Sequence, residues 1–305
     1  MAAIPKPKTP GLARIRTELV TVATADGWVL DALHYPAAPV ASPTASSSST
    51  PLSGTVLLHL HGKGANMLGV QARFLPEMLP GVAHLSLNMR CHDLAYNTDR
   101  EDRPVAGGMY EALDDGKVDV AAAIAWLRAE GYETIIVCGH SSGGYYAGEY
   151  GVTGDPVAGR ILLSPLFTNT TALGWWFPGE GELDAALAQA RALVAAGRPD
   201  EIMALPSWYW AISARSLIER ASQPEGLWIE AVNRDASPVL MMWGETEDRN
   251  AAWAGLLDRI DAPATGGPIV GSDHWYGGFE TIVADRVAAF VGELTGETLA
   301  RASGV

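Results

Sequence analysis

Residues Glu133 to Gly144, Glu-Thr-Ile-Ile-Val-Cys-Gly-His-Ser-Ser-Gly-Gly, constrain the fold more than any other stretch of the chain. The β-branched run up to Cys138 reads as a buried strand. It stops at Gly139-His140-Ser141-Ser142-Gly143, and residues compatible with a helix follow at once. A strand that becomes a helix within one residue must bend sharply at Ser141, so positive φ is expected there. Cβ atoms at positions 139 and 143 would collide with adjacent segments at such a bend, which accounts for the two glycines. The turn carries the Ser141 hydroxyl at its tip. A helix starting at Ser142 points free backbone N–H groups to the place where an oxyanion would form. Ser141 therefore reads as a nucleophile, the plainer alternative being a small-residue turn that packs a helix onto a sheet.

A nucleophile on this kind of turn needs an acid and then a histidine further along the chain. Gly267-Pro268-Ile269-Val270-Gly271-Ser272-Asp273-His274-Trp275 is a short strand followed by a loop, and His274 is the only histidine after His140. By elimination it is the candidate base. Pro238-Val239-Leu240-Met241-Met242-Trp243-Gly244 has the continuous apolar character of a buried parallel strand and opens into Glu245-Thr246-Glu247-Asp248-Arg249. Any of its three carboxylates could accept the histidine's Nδ1–H and stabilise the imidazolium.

With these residues in hand, the chain resembles the α/β-hydrolase superfamily, in its esterase- and lipase-like form, from about residue 15 to the C-terminus. The resemblance implies an α/β fold with a mostly parallel eight-stranded sheet, helices on both faces and a helical cap inserted after strand six. It places the acid three residues after the glycine that closes its strand. That position is Glu247, with Asp248 as the alternative; the family's usual residue there is Asp. It also implies that Thr55-Val56-Leu57-Leu58-His59-Leu60-His61-Gly62-Lys63-Gly64 is a strand and oxyanion turn, with the backbone N–H groups of Lys63 and Ser142 as the two donors. On this reading the Lys63 side chain points outward, and His61 is a structural hydrogen-bonder. Arg90 and His92, in Met89-Arg90-Cys91-His92, stand where many relatives carry Arg-Gly-His, and are expected to brace the loop beside that turn. A weaker resemblance, to the branch that includes fungal esterases acting on siderophore esters, rests on Gly107-Gly108-Met109-Tyr110-Glu111, on the Ser141 motif and on the tryptophans below. It favours an ester or lactone substrate. Haloalkane dehalogenases and epoxide hydrolases are similar in fold but use Asp where this chain has Ser141.

The chain's 305 residues suit one α/β domain with an insertion: core at 1–164 and 237–305, cap at 165–236. Residues 36–53 are almost wholly Ala, Pro, Ser and Thr and read as a flexible surface loop. Thr17–Thr24 and Gly27–Tyr35 read as a hairpin. Helices are expected at Asp119–Glu130, Asp248–Ile260 and Thr281–Leu294, and a strand at Arg160–Leu163. Within the insertion, 183–196, 199–203 and 208–218 read as helical. Five of the ten tryptophans lie there: Trp175, Trp176, Trp208, Trp210 and Trp228. Any one of them fits the insertion's own core, yet at least one of Trp175, Trp176, Trp208 and Trp210 is expected to face a substrate.

A net charge of −14 argues against nucleic acid and anionic membranes as partners. Cys91 and Cys138 form no disulfide framework or metal spacing and read as reduced. Neither a signal peptide nor a membrane span is expected, so the default location is cytoplasmic. No metal or organic cofactor is expected, and the partner is a small-molecule substrate; the oligomeric state is open. The function read from the sequence is hydrolysis of a carboxylic ester or lactone through an acyl-enzyme on Ser141. A thioester, amide or carbon–carbon hydrolase, a lyase or cofactor-free oxygenase, and a ligand receptor on the same scaffold are the alternatives.

Overall fold

Apolar residues on successive positions of the buried strands go to opposite faces, and this alternation builds two cores around one sheet. In the strand that starts at Thr55, Val56, Leu58 and Leu60 join one cluster, while Leu57 joins the other. Ile135 and Val137 are divided in the same way from Ile136 and Cys138. A strand covered on both faces has no polar side, which is why these runs are largely apolar.

The computed structural model describes residues 15–39, 51–150, 156–166, 173, 176–206, 211–224 and 226–299. Its large sheet comprises β1 (Glu18–Ala23), β2 (Val29–Tyr35), β3 (Thr55–Leu60), β4 (Ala83–Leu87), β5 (Thr134–His140), β6 (Gly159–Leu163), β7 (Val239–Gly244) and β8 (Ala264–Ile269). Their order across the sheet is β1-β2-β4-β3-β5-β6-β7-β8. The β1–β2 and β2–β4 pairs are antiparallel, and every other pair is parallel. The helices are α1 (Gln71–Met78), α2 (Leu113–Ala129), α3 (Ser142–Glu149), α4 (Glu182–Ala195), α5 (Ala214–Ser222), α6 (Leu227–Arg234), α7 (Asn250–Leu257) and α8 (Glu280–Thr295). Residues of α2, α3, α6 and α7 contribute to one core and those of α1 and α8 to the other, so helices cover both faces. None of the described helices is long and apolar enough to cross a membrane.

Between β6 and β7 the alternation stops, and the segment gathers a third core of its own from Leu173, Trp176, Phe177, Ala190, Met203, Leu205, Ile212, Ala214 and Leu217. It differs from the sequence reading in one respect. Where helix is expected at 199–203 and 208–218, residues 202–204 and 211–213 instead form a small antiparallel pair, and helix begins at Ala214. Ile202 and Ala204 are exposed while Met203 is buried, a period of two. Pro206 forces extended backbone on its neighbour and closes off a helix through this stretch. Trp228 is buried on α6 and donates its indole N–H to Tyr145 O at 3.0 Å, so it belongs to the sheet's core. Trp175, Trp208, Trp210 and most of the 36–53 loop lie outside the described residues.

Beneath the sheet's surface, His59 on β3 and His84 on β4 stack in parallel with ring centroids 5.1 Å apart, and their facing nitrogens are 2.9 Å apart. Burial lowers the pKa of both, to about 4 for His84, and the other ring adds to the effect on His59. His61 is held at about 4 in the same way. Histidines whose folded pKa lies below the unfolded value of 6.5 stay neutral while the unfolded chain takes up protons, so stability falls as pH drops from about 6.5 to 4. Asp119, raised to about 6 by burial, and Glu219, raised for the same reason, act in the opposite sense but are outnumbered by the buried histidines. The urea midpoint is expected to fall steeply between pH 7 and pH 4.5, by several kcal/mol in unfolding free energy; a flat profile would contradict these histidines being neutral.

Candidate active site

The carboxyl ends of parallel strands are where an α/β sheet can present several loops to one ligand. The loops after β3, β5, β6, β7 and β8 converge there. Ser141 follows β5 directly with φ 55° and ψ −116°, a backbone state that costs a non-glycine residue about 1–3 kcal/mol. The positive φ expected from sequence is therefore present. So is the steric reason for the glycines: a Cβ on Gly139 would lie 2.0 Å from Gly143 O, and one on Gly143 would lie 2.2 Å from Leu60 O. Three backbone bonds hold the bend. Ser141 N–H donates to Leu163 O at 2.9 Å, and Ser141 O accepts from Leu166 N–H at 2.8 Å and Tyr145 N–H at 3.2 Å.

His274 stands in the loop after β8, and its Nδ1 lies 2.6 Å from Glu247 Oε2. Glu247 is itself fixed, its Oε1 accepting from Ser164 Oγ at 2.6 Å and from Gly244 N–H at 2.9 Å. The Ser164 hydroxyl in turn lies 2.6 Å from the buried Tyr276 hydroxyl. The three carboxylates after β7 thus take separate positions. Glu245 accepts from Gly271 N–H at 2.9 Å, Glu247 faces the histidine, and Asp248 is exposed. With Nδ1 turned to Glu247, Nε2 is the nitrogen left to His274 for chemistry. His140, the residue before Ser141, is buried, and desolvation, followed by the nearby His274 ring, holds its pKa well below the usual value. As a neutral ring it donates Nε2–H to His274 O at 2.9 Å and pins the histidine loop to β5.

Among the described residues, the non-glycines with positive φ are Val70, Asp93, Ser141, Ser164 and Tyr276. Three of the five belong to this hydrogen-bonded set, so backbone strain concentrates here. Gly62, Lys63, Ser141, Ser142 and His274 line one cavity, with Leu166, Trp176, Leu205 and Trp275 giving it an apolar wall. Of the four tryptophans considered from sequence, Trp176 is the described one, and it faces this cavity. Trp275, 53% exposed, also lines it, and in the sequence nothing but its place next to His274 marks it. Ser142 begins α3, so its N–H belongs to the unpaired first turn of a helix that points at the cavity.

The turn after β3 departs from the sequence reading. The Lys63 side chain does not point outward; only a tenth of it is exposed, and its Nζ lies 3.0 Å from Glu111 Oε2 and also donates to Gly108 O. A buried carboxylate draws the ammonium inward, which no local pattern discloses. His61 is a structural residue, with Nδ1 2.8 Å from Gly62 O and Nε2 accepting from Met89 N–H at 3.1 Å. Arg90 braces its loop as expected. Its backbone N–H and Nε bond to Asp119 at 2.8 Å each, and Nη1 bonds to Asp26 at 2.6 Å. His92 pairs with Asp93 at 2.9 Å and stacks on Tyr96.

Residues 56–290 match the model of the alpha/beta hydrolase family. No curated protein matches the sequence. Among solved structures, the alpha/beta hydrolase GrgF from Penicillium sp. sh18 is similar with a TM-score of 0.69 at 16% identity, over 92% of this chain and 100% of that one. Est1E from Butyrivibrio proteoclasticus gives 0.60 at 17% identity, over 92% and 99%. The esterase Pf2001 of Pyrococcus furiosus gives 0.59 at 17% identity, over 95% and 97%.

A methyl group at position 143 has nowhere to go without opening the bend. Gly143→Ala is expected to lose more than about 3 kcal/mol of stability or fail to fold, read by thermal melting; a variant that melts with the wild type would show that the bend is not as tight as described.

Proposed function

Since the chain belongs to the alpha/beta hydrolase family, we propose that it is a serine hydrolase acting on a carboxylic ester or lactone of a medium-sized, partly apolar small molecule. The observation that carries this reading is the 2.6 Å contact of His274 Nδ1 with a fixed Glu247, in a cavity whose floor is the strained Ser141. Contact with Glu247 fixes the imidazole tautomer, so that Nε2 carries the lone pair in the resting state.

In this mechanism Nε2 of His274 removes the proton from Ser141 Oγ as the oxygen attacks the substrate carbonyl carbon. The carbonyl oxygen becomes an oxyanion, held by the N–H groups of Lys63 and Ser142. Each such backbone donor is worth about 2.7–4 kcal/mol because it needs no reorganisation during the reaction. The carbon–oxygen bond to the leaving alcohol then breaks, and the alkoxide takes the proton from His274. A water molecule, deprotonated by the same nitrogen, attacks the acyl-enzyme; Ser141 leaves and recovers its proton. Glu247 stays ionised throughout and balances the imidazolium. Asp248 takes no part.

The segment between β6 and β7 serves on this reading as a cap, with Trp176 and Leu205 supplying the apolar ceiling over the acyl group. The apolar wall favours a substrate with a hydrocarbon or aromatic portion next to the carbonyl.

The direct test is turnover of a chain-length series of p-nitrophenyl esters. Activity is expected in the wild type and absent from Ser141→Ala. Glu247→Gln should lower kcat by on the order of 10³–10⁴ through the wrong imidazole tautomer. Asp248→Asn should alter it by less than about threefold, as an exposed side chain outside the chemistry. Equal losses in the two acid variants would remove Glu247 from its role, and undiminished activity in Ser141→Ala would remove the serine mechanism.

A further inference from the structure

The segment Gly107 to Leu113 takes no part in the chemistry proposed above, yet it lies directly behind the turn that carries Lys63. A Cβ on Gly108 would sit 2.8 Å from Gly64 N, so only glycine lets the two backbones approach. Gly108 O accepts from Lys63 Nζ. Three residues on, the Glu111 carboxylate is buried and makes three polar contacts on three different elements. Oε2 takes Lys63 Nζ at 3.0 Å from the turn after β3 and Arg220 Nη2 at 2.6 Å from α5. Oε1 takes the Tyr146 hydroxyl at 2.9 Å from α3, the helix that begins at the nucleophile. Burial alone would raise the pKa of this carboxyl, but the charges of Lys63 and Arg220 outweigh it and hold the group at about 2. Trp176 covers the cluster from the insertion, its ring centroid 5.9 Å from Lys63 Nζ and 5.3 Å from the Arg220 guanidinium. A second grip sits beside the first. Glu219, the neighbour of Arg220 on α5, accepts from Leu113 N–H at 2.9 Å and so caps the start of α2, where Ala112 offers no side-chain cap.

We infer that Glu111 is a positioning residue that joins the oxyanion turn, the nucleophile helix and the insertion into one mechanical unit. The Lys63 N–H is aimed at the carbonyl oxygen when Arg220 has docked the insertion onto Glu111. The inference rests on the reading of Lys63 as an oxyanion donor. Rigid fixing matters because a displacement of about 1 Å can lower turnover about 100-fold. A buried salt bridge is a costly device for stability alone, since apolar replacements often do as well. Positioning gives it a purpose that packing would not.

Two readouts separate this from a purely structural role. The first is hydrogen–deuterium exchange of the peptide spanning residues 60–66, with β1–β2 as the internal reference. In Arg220→Met and in Glu111→Gln, exchange at 60–66 is expected to rise at least about tenfold relative to that reference. The second is kcat for p-nitrophenyl acetate, whose acyl group is too short to need the insertion; it should fall about 10- to 100-fold with little change in KM. Arg220→Lys should recover part of both. Because two unbalanced cations destabilise the Glu111→Gln fold, the triple variant Lys63→Met, Glu111→Gln, Arg220→Met removes the charges together. It is expected to regain thermal stability without regaining slow exchange or kcat. Recovery of all three in the triple variant, or unchanged exchange at 60–66 in Arg220→Met, would overturn the inference. If the wild type turns over acetate and Arg220→Met matches it, the inference falls while the hydrolase reading stands. If the wild type turns over no ester at all, that reading falls, and the exchange measurement still decides the mechanical link.

Discussion

A strand that must become a helix within one residue sets the geometry of everything around it. The turn at Ser141 is tight enough that position 143 lies against the Leu60 carbonyl at the end of the neighbouring strand. This one contact ties Ser141 to the turn that follows β3, because β3 and β5 are adjacent in the sheet. The turn that carries Lys63 therefore cannot drift from the serine without breaking the sheet itself. On the other side, Ser141 N–H bonds to the last residue of β6, which brings Ser164 alongside and with it the anchor for Glu247. The five loops of the site are arranged by strand order, and strand order is fixed by apolar faces that only this sheet can bury.

Backbone strain is concentrated at this end of the molecule, and one buried charge cluster lies beside it. Ser141, Ser164 and Tyr276 all hold positive φ, a state worth about 1–3 kcal/mol each against the fold, and each is held there by neighbours. Glu247 is fixed by the Ser164 hydroxyl and the Gly244 N–H, so under the proposed mechanism it needs no reorganisation when His274 takes a proton. The Lys63–Glu111–Arg220 cluster follows the same logic at the back of the turn after β3. Polar groups removed from water are expensive unless fully paired, and full pairing is what makes them rigid.

Much of this was legible in the sequence, for reasons that differ from residue to residue. The Ser141 turn could be read because its signal is local: a β-branched run, two glycines at fixed spacing and a helix start. The strands β3, β5 and β7 were legible through continuous apolar character, and α8 through its periodicity. The apposition of Glu247 and His274 followed from chain order and the family's spacing, and the structure brings those two side chains together. What escaped were contacts between distant segments. Arg220 meets Glu111 across 109 positions and Ser164 meets Glu247 across 83, and no local pattern encodes either pairing. Lys63 looked like an exposed lysine for that reason. His140 was legible as part of the motif but not as the residue that holds the His274 backbone. The short antiparallel pair at 202–204 and 211–213 was missed because Trp- and Ala-rich sequence fits a helix as well as a strand; Pro206 was the cue.

The central claim is that Ser141 forms a covalent acyl-enzyme with the help of His274. Intact-protein and peptide mass spectrometry after exposure to a fluorophosphonate reads that claim without knowledge of the substrate. One adduct per chain is expected on the peptide that contains Ser141, with none in Ser141→Ala and strongly slowed labelling in His274→Asn. An adduct on another residue, or none at all on a protein that melts normally, would contradict it.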